Sequence, residues 1–238
     1  MNELRLFPEK WRILSGSMLK LIAVISMLID HVGAHLTPQF LTVLQIGDYT
    51  LTLQTLMRVI GRLAFPIFAF LLVEGFLHTR SRLRYGLSLF ICALISEIPW
   101  DLVQSGHLLY QGQNVFFTLL LGYLALCGMD WLRKKPVLPF LVLLAFALLT
   151  LVVQADYGVK GYAFILLLYA LRKHEVFRPL TSFLLSRHWA VMCAFLPISL
   201  YNGKRGFIKS VGLKYAFYLF YPVHLFVIYL IKYQNVIF

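Results

Sequence analysis

Charge is what this sequence has least of. Only 13% of its 238 residues are Asp, Glu, Lys or Arg, and the acidic ones number 10, whereas a soluble globular domain carries about 25% charged residues. Because 60% of the residues are hydrophobic, a water-soluble body of this length has too little polar surface to enclose the rest. Cysteine is scarce as well. Cys92, Cys127 and Cys193 each stand alone inside an apolar run, a pattern with neither disulfide nor metal-ligand spacing, so they are expected to be small buried hydrophobes and no metal site is expected. An apolar setting raises a thiol pKa, which also makes them poor acyl carriers. No apolar stretch follows Glu3 and Glu9 closely enough for a cleavable signal peptide to be expected. No repeat relates residues 18–132 to 137–231, which weighs against the two-halved plan of many transporters.

What the sequence does have is a series of apolar runs separated by short basic loops. At about 1.5 Å per residue a membrane span takes roughly 20 residues. The chain is therefore expected to be all-α, a single polytopic transmembrane bundle over residues 1–238 with about eight spans. These are placed near 18–36, 59–78, 83–102, 115–132, 136–154, 161–171, 188–201 and 214–231. The sixth and seventh are too short to cross unaided and must tilt, thin the bilayer or lie against a protein-lined cavity.

The formal net charge is +12, from 22 Lys and Arg against 10 Asp and Glu. The basic residues cluster in loops beside the apolar runs, which points to a cytoplasmic face rather than to nucleic acid. With eight crossings, Arg5, Lys10 and Arg12, then Arg80 to Arg84, Arg133 to Lys135 and Arg172 to Arg187 fall on one side, and both termini are expected there. Lys204, Arg205 and Lys209 are the exception, because that count puts them in an outer loop.

Ionisable residues within the spans are costly, so each is paired, turned inward or functional. Asp30 and His31 lie roughly 15 to 17 Å along the helix from Lys20. Glu97 and His224 are expected at a similar depth, so His31, Glu97 and His224 are candidates to meet. A histidine beside a carboxylate there could act as a general base, with Arg, Tyr or Asn stabilising charge on an acyl oxygen; proton translocation would draw on the same residue types. Structural roles compete: Glu74 with His78 one turn away, Arg58 and Arg62 snorkelling to headgroups, His224 and Asp30 simply hydrogen-bonded. The tract Ser199 to Gly206 combines an Asn202-Gly203 turn with Lys204 and Arg205, suited either to an anion or to topology. Tyr218, Tyr221 and His224 share helical spacing. Asp156, in a polar connector, marks either a cavity mouth or a tight turn.

The segments KLIAVISMLIDHVG (residues 20–33), GRLAFPIFAFLLVEGFLHT (61–79), SEIPWDL (96–102), NVFFTLLLGY (114–123), ADYGVKGY (155–162), SLYNGKRG (199–206) and KYAFYLFYPVHL (214–225) resemble the TraX family, named for a conjugal-transfer protein associated with pilin acetylation. The resemblance implies a bacterial inner-membrane, multi-pass protein similar in layout to membrane acyltransferases. It further implies acyl-CoA, acetyl-CoA in particular, as co-substrate with no tightly bound cofactor, and a pilin or a cell-envelope glycan or lipid as acceptor, among membrane lipids. On this basis His31 is expected as general base with Asp30 or Glu97 orienting it, and His224 with Tyr221 in the acceptor or proton path. Arg58, Arg62, Lys204 and Arg205 would meet an anionic donor, and Glu74, Asn114, Asp156, Asn202 and Tyr218 would be polar site positions. A proton-coupled transporter or a non-catalytic assembly factor would use the same residues differently.

Overall fold

The structure, a computed structural model, describes residues 6–47 and 49–237; Glu3 and Arg5, weighed above, lie outside them. After a 3₁₀ turn at Glu9–Trp11, α1 (Gly16–His35) leads to a hairpin of β1 (Thr42–Ile46) and β2 (Tyr49–Thr52). Then come α2 (Leu53–Gly61), α3 (Ala64–His78), α4 (Arg82–Ser105) and α5 (Val115–Trp131). The second half holds α6 (Leu138–Val152), α7 (Gly158–Ala170), α8 (Phe177–Ser186), the single turns α9 (Ala190–Cys193) and α10 (Phe195–Ser199), and α11 (Val211–Ile237).

The helices start where side chains can satisfy free amides. Ser15, Thr52, Ser81 and Asn114 each accept a hydrogen bond from a first-turn amide of α1, α2, α4 and α5. Gly106, at φ 77°, ends α4 in the left-handed conformation that glycine tolerates. Large apolar side chains cover the outside, among them Phe140, Leu144, Leu148 and Val152 of α6 and Val223, Phe226 and Val227 of α11, all more than 40% exposed. Such a surface fits lipid and would aggregate in water.

Among the described residues, four helical stretches are long and apolar enough to cross a membrane: Gly16–His35, Leu53–His78 (α2 and α3 together), Arg82–Ser105 and Val211–Tyr233. Four others, Val115–Trp131, Leu138–Val152, Gly158–Ala170 and Ala190–Ser199, are apolar but shorter. The bundle is helical as expected, but about eight full-length spans are not found. The short helices meet partway across instead. Gln113 and Ala155 form a bridge, the Tyr157 amide donates to Thr118 Oγ1 at 3.3 Å, and Asn114 clips the start of α5 to Ala93 O and Glu97 of α4. Backbone ends at this depth are tolerated because protein, not lipid, surrounds them.

Segment 188–201 turns back within the bundle. α8 leaves the end of α7, where Arg178 donates to Leu171 O and Arg172 O, and reaches Arg62 at the start of α3. The chain then returns, so that Tyr201 bridges Leu14 just ahead of α1. Lys204 and Arg205 follow at the same end, their carbonyls accepting from the Gly16 and Ser17 amides at 2.8 and 2.9 Å. They therefore lie with the other basic loops and not on the opposite side, which removes the exception in the charge pattern. α1 and α11 start together, Ile208 N donating to Ser17 Oγ at 2.9 Å, and run in the same direction until Lys232 Nζ donates to Val103 O near the end of α4. α11 thus ends at the end of the bundle opposite the start of α1.

Candidate functional site

About 20 Å along α1 from Ser17, and about 8 Å short of its end, α2 and α11 converge on Asp30 and His31 of α1. Asp30 accepts from Arg58 Nη1 of α2 at 2.6 Å through Oδ2, while Oδ1 is buried without a hydrogen-bond partner. Gly61 makes this approach possible, since a Cβ there would sit 2.0 Å from Asp30 Oδ1. Two observations fix the neighbouring histidines. His224 Nδ1 lies 2.8 Å from Phe220 O, an acceptor, so it must carry the hydrogen. His224 Nε2, 2.7 Å from His31 Nδ1, must then accept, so in the neutral pair His31 donates through Nδ1 and keeps a lone pair on Nε2. The rings lie 10° from parallel with centroids 5.0 Å apart, and Tyr221 meets His31 edge-on at 6.0 Å.

The remaining residues divide into two groups. Glu97 is beside this cluster but is held by Asn114, its Oε2 accepting from both the Asn114 amide and side chain. Among the described residues neither Glu97 nor Asp30 hydrogen-bonds to His31; Asp30 turns to Arg58, and the partner of His31 is His224. Asn114 is buried and caps α5, a scaffold role. Tyr221 is buried against Phe116, and Tyr218, one turn nearer the start of α11, lies tilted at 41° to the same ring, 6.4 Å away, and faces the Lys214 ammonium. Asp156 stands at the mouth. Its charged neighbours are Asp30, Arg58 and Arg62.

Glu74, Asn202, Lys204 and Arg205 are brought to the other end of the bundle. Glu74 lies 3.8 Å from His78, whose ring also meets the Glu74 carbonyl. Asn202 shapes a turn, its Oδ1 accepting from the Lys204 amide at 2.9 Å. Lys204 and Arg205 are exposed beside it. None of the four reaches the histidine pair.

A cavity of about 530 Å³ opens beside Asp156 and is lined by Trp100, Gln104, Tyr110, Gln111 and Gln154. These residues escaped sequence reasoning, although the glutamines in the connector after α4 were visible there. Tyr157, in the same polar connector as Asp156, stacks on Phe65 at 3.9 Å, and His188, which lines the space beside it, was missed as a site residue. Among the described residues no cluster of His, Cys, Asp and Glu could hold a metal ion.

The comparisons with known proteins agree with the extent of this assembly. A "Probable fimbrial assembly protein FimC, serogroup H1" of Dichelobacter nodosus is 32% identical over 242 residues, covering 89% of this chain and 93% of that protein. No solved structure matches the chain. The family described as TraX protein matches residues 15–232, from the cap of α1 through the helix that carries His224. The chain belongs to the TraX family.

Proposed function

We propose that this protein is a membrane-embedded acyltransferase serving the bacterial envelope, with a pilus subunit as the favoured acceptor. The observation that carries the reading is the His31–His224 pair, whose hydrogen bonds leave a lone pair on His31 Nε2 at membrane depth. A base fixed in one tautomer suits removal of a proton from an amine or hydroxyl as that group attacks a thioester carbonyl. The C–S bond then breaks and the proton passes to the departing thiolate. Acetyl-CoA is the proposed donor, and His224 is the positioning residue. The paired Arg58 and the nearby Arg62 supply positive charge beside the site, suited to an anionic donor or a developing oxyanion.

The acceptor reading draws on the family and on the relative named as a fimbrial assembly protein. The location is proposed to be the inner membrane, with the basic loops around Arg12, Arg82, Arg133, Arg172 and Lys204 in the cytoplasm. On that orientation the histidine pair lies toward the outer side. A non-catalytic assembly role is the competing reading, favoured by the naming of the relative as a fimbrial assembly protein.

The deciding experiment incubates the purified chain in nanodiscs with radiolabelled acetyl-CoA and separately with pilin, envelope glycan and membrane lipid. Label on an acceptor that disappears in His31→Ala supports transfer. Absence of label on all three, while the protein still co-purifies with pilin, would establish the assembly role instead.

A further inference from the structure

Arg58 and Arg62 stand about one helical turn apart, yet their surroundings differ. Arg58 is engaged by Asp30, whereas the Arg62 guanidinium has neither a hydrogen bond nor a carboxylate at ion-pair distance among the described residues. It lines a second cavity, of about 360 Å³, between the start of α3, the connector ahead of α7 and the corner between α8 and α9. Lys160 lines the same cavity, likewise without a side-chain partner among the described residues. So does His188, whose Nδ1 accepts from the Ala190 amide at 3.3 Å, which puts the ring hydrogen of the neutral form on Nε2 as a donor. Asp156 is the acidic residue of this lining, and the rest is largely apolar, with Phe65 and Phe164 forming one wall.

A guanidinium, an ammonium and an imidazole N–H against one carboxylate make a site with excess positive charge and several donors, the composition that recognises phosphate. An apolar wall beside such donors suits a ligand whose phosphate carries a nonpolar chain. We propose that this cavity binds the phosphate of an amphiphilic ligand, held by Arg62, Lys160 and His188, with its nonpolar part along Phe65 and Phe164. The chemistry is shared by a phospholipid of the bilayer and by an acyl thioester of the coenzyme A kind. The inference extends the role proposed for Arg62 to two further residues, and as a binding site it stands whether or not acyl transfer takes place.

The test uses the full chain in zwitterionic nanodiscs, so that transfer is not the readout. Coenzyme A is titrated by calorimetry, and phosphatidylglycerol doped into the discs is followed by native mass spectrometry. One probe or both should bind the wild type, and Lys160→Gln, His188→Gln and Arg62→Gln should each weaken that binding by on the order of tenfold. Lys173→Gln, exposed in the loop after α7, should leave it unchanged. Binding of coenzyme A alone identifies the thioester as occupant, and retention of phosphatidylglycerol alone identifies a lipid. If Arg62→Gln does not fold, the other two variants decide. Binding of neither probe, or binding equal in wild type, Lys160→Gln and His188→Gln, overturns the proposal.

Discussion

The two ends of this bundle carry similar residue types and treat them differently. Toward the end of α1, Asp30, Arg58, His31 and His224 are packed against one another, with one carboxylate oxygen left unpartnered. At the opposite end, Arg82 reaches Asp130 at 2.7 Å with 46% of its side chain exposed, and Lys204 and Arg205 stand in solvent. An ion pair in water contributes little, because hydration competes with it. The Arg58–Asp30 pair is less open, with 36% and 17% of its side chains exposed against 46% and 25% for Arg82–Asp130, so breaking it costs more. The cluster around His31 is therefore where chemistry is to be sought.

The strongest way to break this contrast is His31→Ala, expected to lower acyl transfer by about 10²–10⁴-fold while the protein remains folded, as judged by circular dichroism in detergent. Transfer undiminished would remove His31 as the base. A second contrast is steric. Gly61→Ala should force Asp30 away from α2 and destabilise the protein by about 1–3 kcal/mol, read as a lower midpoint in chemical unfolding. Arg58→Met should cost a similar amount, about 1–3 kcal/mol after allowance for the partial exposure of Arg58, and Asp30→Asn in the same chain should restore part of it. Arg82→Gln at the other end should change stability by under about 1 kcal/mol; an effect as large as that of Arg58→Met would erase the distinction between the two ends.

Much of the outline was legible in the sequence. The apolar runs located α1, α4, α5 and α11 within a few residues, because lipid demands long uninterrupted stretches. Asp30, His31 and His224 stood out because hydrocarbon makes them expensive. The fate of residues 188–201 was not legible: an apolar stretch of that length reads alike whether it crosses or turns back, and α9 and α10 turn back. That one segment decided on which side Lys204 and Arg205 lie. The partners of His31 were equally hidden, since depth along a helix does not say which helices are neighbours.

The sequence by itself determined that this chain lives among lipids, that its helices carry a few ionisable residues at depth, and that its loops hold the positive charge. Local composition is enough for those properties, because transfer of a segment from water to hydrocarbon depends on the residues it contains. Only the tertiary structure decided that Asp30 meets Arg58, that His224 rather than a carboxylate holds His31, and that Arg62 faces a cavity with Lys160 and His188. Those pairings join residues far apart in the chain, and they follow from how helices pack, which no single segment encodes.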